Sequence, residues 1–180
     1  MIALRNFTLL VATLSLLSGG YASASTIWSG PRITFEKVGD PELPENQDRI
    51  TDNVWITRGE TSGGIYNALS EDFYINGTSP EDTLWSYGTT ADIASLNFQD
   101  WRSAVGGNPP SSVGRDMVLW LVTDDIYIDL RFTQWGAFGT GGLFAYERTT
   151  PSVVPEPAAW VLATGIVGGL FVLGRRRSRR

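Results

Sequence analysis

The chain has 180 residues, enough for one domain, and contains neither cysteine nor histidine. Disulfides, thiolate chemistry and nucleophile pairs built on histidine are therefore excluded, along with the commonest transition-metal ligand. The formal charge of −5 averages unlike parts, because five arginines crowd the last six positions, while Ser25 to Val154 holds eight basic and eighteen acidic residues, a net −10. A body this acidic repels nucleic acid and anionic lipid, and suits solubility, divalent cations or neutral polymers.

Residues 1–24 read as a secretory signal peptide. Arg5 gives a positive start, Phe7 to Leu17 is an apolar run of 11, and Ser18-Gly19-Gly20 breaks it. Ala22-Ser23-Ala24 supplies the small residues a signal peptidase needs, which places the cut after Ala24.

Residues 25–148 carry β patterning. Short strands are predicted at Ile33–Phe35, Arg49–Thr57, Thr83–Tyr87, Leu96–Phe98 and Leu143–Tyr146. Arg49 to Thr57 places Ile50, Val54 and Ile56 on one face. Met117 to Val122 is a continuous apolar run, the pattern of a central strand, and it puts Trp120 in the core. Asp125 to Trp135 alternates, with Ile126, Ile128, Leu130 and Phe132 on one face and Tyr127, Asp129, Arg131 and Thr133 on the other. Thr123-Asp124-Asp125 reads as the hairpin between these two strands. Asn76-Gly77, Gly106 to Pro110 and Gly139 to Gly142 mark turns. Thr90 to Leu96 has room for one helical turn. Eight or so short strands at this spacing predict an all-β fold, a single jelly-roll-like sandwich.

Residues 149–157 form an extended linker ending in Pro155-Glu156-Pro157. Residues 158–174 carry no charge, and as a helix they span about 25 Å, near the minimum for a bilayer crossing. Residues 175–180 hold Arg175, Arg176 and Arg177 with two more arginines, which the positive-inside rule keeps cytoplasmic. The predicted orientation is domain outside and arginines inside.

Three kinds of candidate site stand out in the domain. Asp40, Glu42, Glu45 and Asp48 crowd one region and are weak candidates for Ca²⁺, with a solvated acidic loop as the alternative. Trp85, Tyr87, Tyr127 and Trp135 are candidates for stacking sugar rings, against ordinary packing. Eighteen acids leave a carboxylate pair of glycosidase spacing open, but no local motif nominates one. No other cofactor is indicated.

The C-terminal features, Pro155-Glu156-Pro157, one apolar helix and a terminal arginine cluster, resemble the PEP-CTERM sorting signal. The resemblance covers about the last 26 residues. It implies recognition of Pro155, Glu156 and Pro157 by an exosortase, a membrane-embedded processing enzyme of bacteria that make extracellular polysaccharide. The domain, through segments such as Val54 to Gly59 and Asp125 to Asp129, resembles small secreted β-rich domains on proteins with such tails, for which the resemblance implies no activity. The resulting expectation is a protein held transiently in the inner membrane and then delivered to the surface, as a structural or adhesive component of a polysaccharide matrix. The alternatives are a carbohydrate-binding module and a carboxylate-dependent glycan hydrolase.

Overall fold

In the computed structural model the strand with the clearest alternation is also the longest, Ile126–Trp135. Residues 25–61 and 63–152 are described; the leader with Ala22 and Ala24, the Pro155–Pro157 motif, the apolar stretch and Arg175–Arg177 lie outside them. Among the described residues, no helix is long and apolar enough to cross a membrane.

The described residues are mostly β, with nine strands, mostly antiparallel: β1 (Thr26–Trp28), β2 (Ile33–Lys37), β3 (Asp48–Arg49), β4 (Trp55–Arg58), β5 (Ile65–Asn67), β6 (Thr83–Tyr87), β7 (Asp116–Leu121), β8 (Ile126–Trp135) and β9 (Phe144–Arg148). The larger sheet runs β2–β9–β8–β7–β6, with β1 added beside β8 in parallel. β1 and β9 share one edge of β8, since β1 pairs with Ile126–Ile128 and β9 with Leu130–Trp135. The smaller sheet is β3–β4–β5. Consecutive strands β6 to β9 follow one another as a meander, whereas a jelly roll crosses between sheets; the short connections after β7 and β8 account for that order.

The two sheets share one apolar cluster. Ile50, Val54, Ile56 and Ile65 come from the small-sheet side, and Met117, Leu119, Leu121, Ile128, Leu130, Phe132, Phe144 and Tyr146 from the large sheet. The predicted faces of β8 hold: Ile128, Leu130 and Phe132 are fully buried. β7 lies between β6 and β8, as its apolar run predicts. Trp120, however, faces away from this core. Met117, Leu119 and Leu121 take the inner positions, and period-2 geometry puts Trp120 outside, stacked on Tyr127 at 5.3 Å and 12°.

Two other expectations change. Arg49–Thr57 is a hairpin and not one strand, because Thr51 Oγ1 accepts from the Asn53 amide and the Ile50 amide donates back to the Val54 carbonyl. Ile50, Val54 and Ile56 still reach the core from its two arms and turn. Leu96–Phe98 is irregular, and its backbone pairing to the sheet is the isolated Trp85–Gln99 bridge that follows it.

Two buried arginines join the sheets in opposite directions. Arg148 of β9 binds the Asp48 carboxylate of β3 bidentately, at 2.6 and 2.8 Å, and the Tyr146 hydroxyl donates to the same carboxylate at 2.6 Å. Burial first, and then the Asp48 charge, hold the Tyr146 phenol well above its usual pKa, so it remains a donor. Arg58 of β4 reaches the other way. Its guanidinium donates to the carbonyls of Gly136 and Leu143 at 3.1 and 2.9 Å and lies 4.2 Å from the Trp135 ring centroid. Gly142 sits beside this contact because a Cβ there would stand 1.9 Å from the Gly59 carbonyl oxygen.

Removing one partner of a buried ion pair strands the other charge. Asp48→Ala is expected to cost about 3–5 kcal/mol, read from the urea midpoint, whereas the double change Asp48→Leu with Arg148→Met recovers most of that loss. An unchanged midpoint in the single variant would contradict the clamp.

Lys37 supplies a pH-dependent term. It is buried and its ammonium donates to the carbonyls of Gly39 and Gly141 at 2.6 and 3.0 Å. Burial lowers its pKa from 10.5 to about 8, with Glu60 and Asp40 opposing the shift and Arg58 adding to it. Between those two values the unfolded chain binds the extra proton, so stability rises with pH across that window. Urea midpoints should climb from pH 8 to 9.5, and Lys37→Met should flatten the climb.

Candidate functional site

The four aromatic candidates do not form one platform. Trp85 is fully buried, with its indole N–H donating to Thr83 Oγ1 at 2.8 Å, so it offers no ring to a sugar. Tyr87 is half-buried on the same side of β6, and the Arg115 guanidinium lies 3.4 Å from its ring centroid. Trp135 turns inward because a bulge follows Phe132: Phe132 pairs with Tyr146, but Gln134 pairs with Ala145 and Trp135 with Phe144. Its ring stacks on Trp101 at 5.2 Å, so it too departs from an exposed role. Only Tyr127 sits on the outer face of the large sheet. There Ile27, Tyr127, Trp120 and Leu84 are cross-strand neighbours, and Phe98 packs edge-on against Trp120 and Tyr127 at 5.7 and 5.6 Å. The faces of Tyr127 and Trp120 cover each other, which makes this a satellite cluster pinning the 96–99 segment.

The acidic candidates also separate. Asp48 is buried in the Arg148 ion pair. Asp40 accepts the Glu42 amide within its own turn, and Glu45 is exposed on a short 3-10 turn, Pro44–Asn46. Among the described residues no group of three or more acidic side chains is placed to hold a metal ion. Asp124 is structural, accepting from Thr51 Oγ1 and Asn53 Nδ2 at 2.6 and 2.7 Å, and so ties the β7–β8 turn to the β3–β4 turn.

A polar concave feature lies on the outer side of the small sheet. It is a cleft of about 240 Å³ lined by Pro41, Glu42, Gln47, Tyr66, Ala68, Glu71 and Asp72. Alternation along β4 and β5 explains its floor. Ile56 and Ile65 point into the core, which leaves Tyr66 and its partner Thr57 on the opposite face. The turn carrying Pro41 and Glu42 forms one wall, and Glu71 and Asp72, just after β5, form the other.

The walls are fixed by hydrogen bonds. Gln47 Nε2 donates to the Pro41 carbonyl at 3.0 Å, and its Oε1 accepts from Arg49 at 3.1 Å. Thr57 Oγ1 donates to the Asn46 carbonyl at 2.7 Å. Buried Glu71 accepts from the amides of Asn67 and Glu81 at 2.7 and 3.0 Å and from the Ser79 hydroxyl. Glu42 and Asp72 remain exposed.

Tyr66 is the distinctive group. The residue is only 5% exposed and lines the cleft, and its hydroxyl is engaged by no side chain or carbonyl of the described residues. Burial first, then Glu42, Asp40, Asp72 and Glu71, raise its pKa, so the hydroxyl stays protonated. Of the cleft residues, sequence reasoning singled out Glu42 alone. The alternation of Ile65-Tyr66-Asn67 was the available signal, but three residues between glycines and a polar loop are too short to show a period.

Comparison with family models, curated proteins and solved structures finds no match for the chain.

Glu71 is expected to hold the cleft's shape. Glu71→Gln puts an amide donor against three existing donors and should cost about 1–3 kcal/mol. Faster hydrogen exchange at the Asn67 and Glu81 amides, with the β7–β8 amides unchanged, would be its local signature.

Proposed function

We propose that this chain is an exported β-domain delivered to the cell surface or extracellular matrix by its C-terminal tail, where it serves as a structural or adhesive component. One observation from the folded part carries the reading. The domain is hydrogen-bonded to within three residues of Pro155, and both of its ends meet at one edge.

The Gly30 amide donates to the Thr150 carbonyl at 2.8 Å, Thr150 Oγ1 donates to the Pro31 carbonyl at 2.8 Å, and the hydroxyls of Ser29 and Ser152 are 2.7 Å apart. The approach is close enough that a Cβ at Gly30 would stand 2.2 Å from the Pro151 carbonyl oxygen. A closed edge of this kind suits a cargo that folds apart from its targeting segments. In the sequence the Pro-Glu-Pro motif begins three residues after Ser152. The net −10 between Ser25 and Val154 adds to this reading, because such a surface neither adheres to the anionic membrane it leaves nor binds nucleic acid.

The test is processing in a host that carries an exosortase-type enzyme. The wild-type chain should appear outside the inner membrane with a mass lacking residues beyond the Pro-Glu-Pro region. Glu156→Ala should remain full-length in the membrane fraction. Equal processing of the two chains would overturn the sorting assignment.

A further inference from the structure

We propose that the cleft on the outer face of the small sheet binds a protonated primary amine carried on a body of about monosaccharide size. The proposal concerns the folded domain and stands apart from where the chain is delivered.

Three features of the cleft point to this ligand class. First, its lining is anionic without a compensating cation: Glu42, Glu71 and Asp72 supply three carboxylates, and Pro41, Gln47, Tyr66 and Ala68 are neutral. Arg49 bonds the lining residue Gln47 but does not line the cleft, and its guanidinium lies 4.2 Å from the Trp55 ring centroid. Second, Tyr66 lines the floor with nearly all of its surface buried, and its hydroxyl, engaged by no side chain or carbonyl of the described residues, is able to accept a bond from an ammonium or to donate one to a ligand hydroxyl. Third, size and donor count argue against a bare metal ion. A Ca²⁺ site gathers six to eight oxygens at about 2.3–2.6 Å. Here Glu71 is already occupied by three donors, and no set of three acids is close enough among the described residues. A space of about 240 Å³ instead suits a small organic cation with several donors.

An ammonium has three donors and no acceptor, which matches a wall of carboxylates better than a neutral sugar does. Glu42 and Asp72 are the natural charge partners because their carboxylates are exposed and uncommitted, while Glu71 contributes charge from a fixed position. Ala68 and the Pro41 ring give a small apolar surface for the ligand's carbon frame.

Isothermal titration of the full chain at pH 7 and low salt tests this with four probes: glucosamine, glucose, n-butylamine and tetramethylammonium chloride. Glucosamine should bind saturably, and glucose and tetramethylammonium at least about tenfold more weakly, since one lacks the charge and the other the donors. If n-butylamine binds more weakly than glucosamine, the monosaccharide-sized body is supported; if it matches glucosamine, the ammonium alone is recognised and that part of the proposal is overturned. Glu42→Gln with Asp72→Asn should weaken glucosamine about tenfold, and Tyr66→Phe about threefold. Ala68→Leu, which fills the cleft without touching a charge, should abolish binding while near-ultraviolet circular dichroism stays unchanged. The proposal fails if neither amine gives saturable heat, if tetramethylammonium binds as well as glucosamine, or if affinity survives in the folded Ala68→Leu chain.

Discussion

The buried Asp48–Arg148 pair is the constraint on which the arrangement of the two sheets depends. The small sheet has strands of two, four and three residues. So few backbone hydrogen bonds cannot hold a sheet in water without packing against something larger. Its apolar side chains supply that packing but no direction, because hydrophobic burial is non-directional. The bidentate contact supplies the direction. Two parallel N–H···O bonds to Asp48, with the Tyr146 hydroxyl as a third donor, admit one register of β3 against β9. Arg58 repeats the device with the roles of the sheets exchanged, and Asp124 adds a third tie at the turns. Three polar ties at separate points fix both translation and rotation of the small sheet.

That fixation has a consequence on the opposite side. With Ile56, Ile65 and Arg58 facing inward, the outer face is left to Thr57 and Tyr66. The segments on either side of the small sheet, 38–47 and 68–81, fold over that face and are held by side chains reaching backbone groups. Asn46 Nδ2 donates to the Asp40 carbonyl, Gln47 Nε2 to the Pro41 carbonyl, and Glu71 collects amides from Asn67 and Glu81. These bonds leave a gap where the two segments fail to meet, and the cleft is that gap. The same acidic loop that reads as a calcium candidate thus becomes one wall of a small polar recess.

Much of the large sheet was legible because its strands are long relative to a two-residue period. β8 has ten residues, and its core positions follow by counting from Ile126. The count failed where a single residue was inserted. The irregularity between Phe132 and Gln134 reverses the direction of Trp135, and nothing in Phe132-Thr133-Gln134-Trp135 announces it. Trp120 was misread for the complementary reason. A run in which every residue is apolar has no visible period, so the face of Trp120 is set by its partners Tyr127 and Leu84 and not by its neighbours in sequence. The small sheet was mostly illegible. β3 and β5, like β1 of the large sheet, have two or three residues each, and the small sheet is stabilised by contacts up to 100 positions away, such as Asp48 with Arg148. The candidate cleft inherits that difficulty, since its lining comes from three such segments.

Charge connects the fold to the site. Counting residues makes the domain acidic, but where the cations go makes its surface more so. Lys37, Arg58 and Arg148 are buried on carbonyls or on Asp48. Arg49 and Arg115 lie over aromatic rings, and Arg131 is held by Asp116 and the Gly114 carbonyl. Six of the eight basic side chains of the domain are therefore used inside the structure or against its own surface, while ten of its eighteen acids are exposed. On an open surface that excess is screened within about 8 Å at physiological ionic strength. Inside a recess walled by protein, fewer ions enter and the same carboxylates act at shorter range. The fold uses its cations to align two sheets, and the unmatched negative charge then gathers in the recess left between the small sheet's outer face and the loops that cover it.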